Sequence, residues 1–481
     1  MLLYRRPIPS GECTREVCRV PPSPRLMKRL LKRYEQLVEQ ERVPKDLTFK
    51  QFFAVWACLR RGEDKVGIDD GSLVSGAAKP VAKISRPRKL LKGTVRTLAL
   101  LVEFPDCKHD PAYTVAHWRR LLFGDKPKDN SMRQYYRDIS NFDATGGLRG
   151  VDIQGQVHGW IKLPYPMSYY ADDSSGMEGV FPRNAMGMAR DAVAAARKRG
   201  VDFKPYDALG EGMVTALFIV HAGVGAEDTE SNGDIWSHKG VLPKPVKITP
   251  KLKVRTYLTV PEDSTVGVCA HEWGHLAARW DDYYDTGEED DTRSNGLGHY
   301  CLMSSGSWAN EGNTPVLPTA MLRRFHHWID HRLVQSTTHG IQLRPAAERG
   351  DCLIVHNPRR MKPTQYILVE YRRRKAQDRH LPDQGIAVYV VDEKIKDNND
   401  ENLLAIELMQ ADGKRDLAAL ADLGNDGDRG DLFPYGRHRD LGARTQPPLN
   451  LSDRTTWSGV TLHVNGKPGA ATMTVDVTIS A

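Results

Sequence analysis

The chain has 481 residues, 40% of them hydrophobic, with 68 Lys and Arg against 61 Asp and Glu for a net charge of +7. That length supports a core with room for two or three domains, and so balanced a surface lacks the concentrated basic footprint of a nucleic-acid binder. No apolar run approaches the roughly 18–20 residues of a membrane span, and MLLYRRPIPSGEC shows no signal-peptide apolar core of roughly 7–15 residues.

Residues 21–42 read as a helix. Ser23 can cap it, Pro24 suits its first position, and Leu26, Met27, Leu30, Leu31, Tyr34, Leu37 and Val38 recur at helical spacing. Residues 63–92, rich in Gly, Ser, Lys and Pro, read as a linker of the kind proteases nick, so the segment before it reads as a prosegment. TVRTLALLVEF is a buried strand ending at Pro105, and SMRQYYRDIS is a short helix. GVDIQGQVHGWIKLP reads as strands with a turn, Ala185 to Lys198 as a helix, and MVTALFIVHAG as another buried strand. This mixture without a strict repeat is α+β.

Past residue 340, QYILVEYR, GIAVYVVDE, NLLAIELM, GVTLHV and TMTVDVTI are short strands between Gly, Pro, Asn and Asp. The expected division is 1–92 (helical segment and linker), 93–335 (catalytic domain) and 336–481 (β-rich C-terminal domain). The cluster Arg372 to Lys375 reads as a solvated strand end. The seven cysteines are odd in number and form no CxxC pair, so no cysteine zinc site is expected.

The chemistry concentrates in VCAHEWGHLAARWD. His271 and His275 are four apart, which on a helix puts both imidazoles on one face, about one 5.4 Å turn apart, to bind a single Zn2+. Glu272 flanks that face as the general base for a water. Chance predicts about 0.03 matches to such a pattern in a chain of this composition. A catalytic zinc needs a third protein ligand. Asp281 is the expected one, reached only if the chain turns after about Ala278, and Asp282, Asp285 and His299 are the alternatives. Met303, in HYCLMSSGSW, is placed to form a hydrophobic floor under the metal, with an ordinary buried methionine as the alternative. Tyr283, Tyr284 and Tyr300 are near enough in sequence to reach an oxyanion, with packing roles as the alternative. His221 and His238 read as structural, with substrate contact as the alternative. The acidic stretches DDYYDTGEEDD, DNNDEN and NDGDRGD carry ligands that suit structural Ca2+, with solvated loops as the alternative, since none has the twelve-residue loop spacing.

The stretches LLVEFPD, YYRDIS, FIVHAGVGAED, DIWSHKG, HEWGHLAARWDDYYD, LMSSGSW, ILVEYRRR, GIAVYVVDE, LMQADGKRDL and GDLFP, in this order, resemble the immune-inhibitor-A family of bacterial zinc metallopeptidases. The resemblance implies a zincin-like catalytic domain, one zinc and cleavage of peptide bonds within protein substrates. It also implies an extracellular location and an N-terminal prosegment. Carried over by position, it makes His271, His275 and Asp281 zinc ligands, Glu272 the catalytic glutamate and Met303 the methionine of the turn beyond. The chain departs from the pattern where Ala278 replaces the usual glycine at the turn off the helix, and where Arg279 and Trp280 replace leucine and proline. A different zinc hydrolase (exopeptidase or amidase) and a catalytically silent binding or adhesion scaffold are the competing functions. The oligomeric state is not legible.

Overall fold

The computed structural model describes residues 18–39, positions 47–49, 52, 53 and 56, and residues 90–480 apart from 144, 146–148, 178, 230, 287–293, 349, 396 and 420–424. Residues 63–89 of the expected linker, Cys13 and Cys58 lie outside the described residues.

Six strands form one mixed sheet: β1 (Cys18–Arg19), β2 (Gly93–Glu103), β3 (Val151–Lys162), β4 (Leu217–His221), β5 (His238–Thr249) and β6 (Leu252–Pro261), in the order β1-β5-β6-β4-β2-β3. Strands β3, β2, β4 and β6 run parallel, while β5 opposes β6 and β1 opposes β5. The middle of β2 is buried on both faces, which is why Leu98 to Val102 form an unbroken apolar run. The expected turn within residues 150–164 is absent: β3 is one strand. Its glycines serve close approach, since a Cβ on Gly155 would lie 1.9 Å from the Thr97 carbonyl oxygen. The hairpin β5–β6 escapes a pattern reading because Pro243 and Pro245 interrupt it, and its pairing skips between Val241 and Val246.

Helices cover the sheet. Helix α1 (Pro24–Glu39) starts as expected, with the Leu26 N–H donating to Ser23 Oγ; residues 40–42 of the expected helix lie outside the described residues. Helix α2 (Met132–Ile139) is capped by Ser131, and α3 (Ala185–Lys198) by Asn184. Helix α4 (Val266–Trp273) follows β6 and carries His271 and Glu272. Among the described residues, no helix is long and apolar enough to cross a membrane.

From β7 (His331–Val334) onward, strands dominate. They are β8 (Thr338–Leu343), β9 (Cys352–Val355), β10 (Gln365–Arg372), β11 (Gly385–Asp392), β12 (Ile406–Leu408), β13 (Asp440–Leu441), β14 (Val460–Asn465) and β15 (Met473–Ile479). They form a five-stranded sheet, β12-β11-β10-β9-β7, and a four-stranded sheet, β13-β14-β15-β8. Arg372 is not at a solvated strand end. It is buried at the end of β10, donates to Asp378 at 2.6 and 2.8 Å, and donates to the Tyr300 carbonyl at 2.8 Å. Its neighbours Arg374 and Lys375 are exposed.

Removing the guanidinium strands two buried carboxylates, Asp378 and Glu370. Arg372→Met is therefore expected to lower unfolding free energy by about 3–5 kcal/mol, and Asp378→Asn in that background to restore part of it. Urea unfolding of the two variants checks this; a loss below about 1 kcal/mol would mean the pair is not a structural tie.

Candidate metal centre

Helix α4 does not continue as an α-helix through its second histidine. Residues Gly274–Ala278 form a π-helical turn, and Arg279 then takes a left-handed conformation (φ 59°, ψ 39°), its N–H donating to the Gly274 carbonyl. A π-turn holds one residue more than an α-turn. The reversal therefore falls on Arg279, one residue after the Ala278 at which a glycine is expected.

That extra residue decides which aspartate reaches the histidines. His271 Nε2, His275 Nε2 and Asp282 Oδ1 form a triangle with edges of 3.0, 3.1 and 3.2 Å. They are the only group of three His, Cys, Asp or Glu among the described residues whose ligand atoms converge. Asp281, expected from the resemblance, is buried but not part of the group, because the later reversal directs the next residue's carboxylate inward. Asp285 accepts from the Ser294 N–H at 3.3 Å, and half-buried His299 lies 4.0 Å from Asp426; neither belongs to the group.

Each imidazole is fixed from behind. His271 Nδ1 donates to the Leu302 carbonyl at 3.0 Å, and His275 Nδ1 to the Trp280 carbonyl at 2.7 Å. Because both partners are carbonyls, the protons are assigned to Nδ1, leaving lone pairs on both Nε2 atoms. Two lone pairs and a carboxylate oxygen then face one another inside a fully buried site, which is repulsive without a cation between them. Tetrahedral zinc with ligands at about 2.0–2.1 Å spaces those ligands about 3.3 Å apart, so the donor set and its spacing fit zinc. The acidic stretches, as far as they are described, bring no three carboxylates to one point.

Glu272 is buried beside this triangle, and neither of its oxygens has a hydrogen-bond partner among the described residues. Burial pushes its carboxyl well above the usual carboxylate range, with Asp282 and Glu227 adding to the push. Glu227, which sequence reading did not single out, is buried too. It accepts from the Ser237 N–H at 2.9 Å and from the Ser237 hydroxyl, and burial raises its carboxyl to about 7. Its signal was the pair of stretches FIVHAGVGAED and DIWSHKG, whose ends meet here. Met303 lies under the helix: a Cβ on Gly274 would approach its sulfur to 2.9 Å.

The remaining expected residues sort by their contacts. The Tyr300 hydroxyl is committed to Asp431, to which it donates at 2.9 Å, and Tyr283 is fully buried. His221 and His238 are buried, and burial pulls both down to about 4. His238 is held between the Trp236 carbonyl and the Tyr257 hydroxyl.

The N-terminal segment runs along the start of β5 and past Glu227. Cys18 pairs with Lys239 and Arg19 with His238. Trp236 Nε1 donates to the Val20 carbonyl and Trp308 Nε1 to the Pro21 carbonyl, both at 2.9 Å. The Ser23 N–H donates to the Glu227 carbonyl at 2.9 Å, and the Ser23 hydroxyl to Asp228.

Residues 87–334 match the family model described as immune inhibitor A peptidase M6, catalytic domain. Immune inhibitor A of Bacillus thuringiensis subsp. alesti is 32% identical over 301 residues, 51% of this chain and 42% of that protein. The pre-pro-metalloprotease PrtV of Vibrio cholerae serotype O1 is 28% identical over 300 residues, 50% of this chain and 31% of that protein. The chain thus spans less than half the length of these curated relatives. Since the family model covers just over half of the sequence, the chain belongs to the immune inhibitor A family of M6 peptidases.

Proposed function

We propose that this chain is a zinc-dependent metalloendopeptidase with a zincin-like catalytic unit, acting on protein substrates outside the cell. The observation that carries the reading is the buried triangle of His271 Nε2, His275 Nε2 and Asp282 Oδ1 beside the unpartnered Glu272 carboxylate. His271, His275 and Asp282 hold the zinc, with Asp282 taking the role first expected of Asp281. When bound, zinc supplies Lewis acidity, polarising the scissile carbonyl and acidifying water. Glu272 takes a proton from the attacking water and returns it to the nitrogen of the departing amine. The carbonyls of Leu302 and Trp280 keep both imidazoles in the ligating tautomer. The dry surroundings strengthen each of these interactions.

The division into 1–92, 93–335 and 336–481 is supported by the family match ending at 334 and by the sheet change at His331. Residues 18–39 act as part of a prosegment, a reading supported by the pairing of Cys18 and Arg19 with β5 and by the bonds of Trp236 and Trp308 to the Val20 and Pro21 carbonyls. The extracellular location rests on the family resemblance.

Two outcomes test this reading. Asp282→Asn is expected to weaken zinc retention by roughly 10–100-fold or more, while Asp281→Asn keeps zinc at one per chain. Zinc content after dialysis against a graded chelator decides between them, and the reverse ranking would return the role to Asp281. Glu272→Gln is expected to keep zinc and lose hydrolysis of a denatured, fluorescence-quenched protein by at least about 10²–10⁴-fold. The assay uses full-length protein nicked by limited proteolysis, with and without chelator. Zinc-loaded protein that cleaves nothing, or an equally active Glu272→Gln, would overturn the peptidase reading.

A further inference from the structure

We infer that His326 is a positioning residue for the metal centre: its ring holds the Ala278 carbonyl at the chain reversal that brings Asp282 to the two histidines. The inference rests on reading the buried triangle as a zinc site, and it names a residue outside that triangle on which the site depends.

The first support is where the bond falls. The last carbonyls of a helix have no partner within it. In the turn Gly274–Ala278, the Gly274 carbonyl accepts from the Arg279 and Trp280 N–H groups, the latter at 3.2 Å, and the Leu276 carbonyl accepts from the Arg279 guanidinium. The Ala278 carbonyl lies 3.2 Å from His326 Nε2. That carbonyl belongs to the peptide unit leading into Arg279, the residue with positive φ. A donor that fixes the plane of this unit therefore fixes the rotation at which the chain reverses, just ahead of Asp282.

The second is contact with Trp280. The His326 ring packs on the Trp280 indole with centroids 5.8 Å apart, and the Trp280 carbonyl is the group that accepts from His275 Nδ1. His326 thus touches residues on both sides of the reversal, between one histidine of the triangle and its aspartate.

The third is that the ring is itself held. His326 is buried at the end of the helix Ala320–Phe325. The Leu91 N–H donates to its Nδ1 at 3.2 Å. A backbone amide only donates, so Nδ1 accepts, the proton is assigned to Nε2, and Nε2 is the donor to Ala278. Burial pulls the imidazolium down to about 3, which keeps the ring in this neutral form. Trp328 stacks on the ring with centroids 4.8 Å apart, and its Nε1 donates to the Leu91 carbonyl at 2.9 Å. Leu91 lies just ahead of β2, so the reversal is anchored to the central sheet. Removing a group that orients a metal ligand typically costs roughly 10–100-fold in metal affinity.

The test compares full-length His326→Phe and His326→Gln with the parent chain. Phenylalanine keeps an aromatic ring beside Trp280 and Trp328 but has neither donor nor acceptor. Glutamine loses the ring, but its amide both accepts, as Leu91 requires, and donates, as Ala278 requires. Near-UV circular dichroism establishes that each variant is folded. Zinc content after dialysis against a graded chelator reads retention, and the visible spectrum of the cobalt-substituted protein reads ligand geometry. His326→Phe is expected to retain zinc roughly 10–100-fold less well and to change the cobalt spectrum, while His326→Gln stays close to the parent in both. Equal retention by His326→Phe and the parent, or a loss in His326→Gln as large as in His326→Phe, would overturn the positioning role, because packing alone would then account for the residue. If His326→Phe fails to fold, His326→Met, flexible and without a donor, takes its place with the same expected loss. A parent chain that holds no zinc overturns the metal reading and this inference with it. A zinc-holding parent matched by His326→Phe overturns the inference alone.

Discussion

Two imidazole lone pairs and a carboxylate oxygen, held 3.0–3.2 Å apart in a dry interior, repel one another unless a cation sits between them. The rest of the catalytic half is the framework that keeps this arrangement from relaxing. The Leu302 and Trp280 carbonyls pin the rings from behind. The Tyr136 hydroxyl donates to the Ala270 carbonyl at 2.7 Å, and Trp273 Nε1 donates to Thr97 Oγ1 at 3.1 Å, tying helix α4 to α2 and to β2. Gly267 lets the helix start approach residue 307 so closely that a Cβ would lie 1.9 Å from its carbonyl oxygen. With the backbone tied on several sides, the two imidazoles and the Asp282 carboxylate are held together by the fold itself.

How much of this was legible in the sequence depends on the range of the interaction involved. The histidine pair and Glu272 could be read because helical periodicity alone puts them together. The central strands could be read because burial on both faces leaves an apolar run. The aspartate that joins the histidines could not. Whether Asp281 or Asp282 turns inward depends on one π-turn and on Arg279 accepting positive φ, an uncommon conformation for a residue with a Cβ. Arg279 is held there by its own bond to the Leu276 carbonyl and by Glu211 at 3.6 Å, contacts that no local pattern announces.

The same distinction separates Arg372 from its neighbours. In the sequence it opens a basic run and looks like surface; in the fold it is the buried member, and Asp378, six residues on, makes that burial tolerable. The turn expected within residues 150–164 is absent for a similar reason, with Gly155 lying inside β3. A glycine in a strand signals either a turn or a close neighbour, and only the partner strand decides which. Glu227 was hidden because its importance comes from meeting Ser237 and the N-terminal segment, not from any spacing of its own.

The catalytic half matched by the family model also depends mechanically on the C-terminal sheets. The Leu302 carbonyl that orients His271 lies two residues beyond Tyr300. Tyr300 is clamped at both ends from those sheets: Arg372 holds its carbonyl at 2.8 Å, and Asp431 holds its hydroxyl at 2.9 Å. The neighbouring backbone is tied the same way, since the His299 N–H donates to the Asp426 carbonyl at 2.7 Å and the Asn295 amide to the Asn425 carbonyl at 2.7 Å. A metal ligand is only as well placed as the group behind it. The support behind His271 therefore runs through Tyr300 into residues 372–431, and the C-terminal half takes part in positioning the buried triangle although none of its described residues belongs to it.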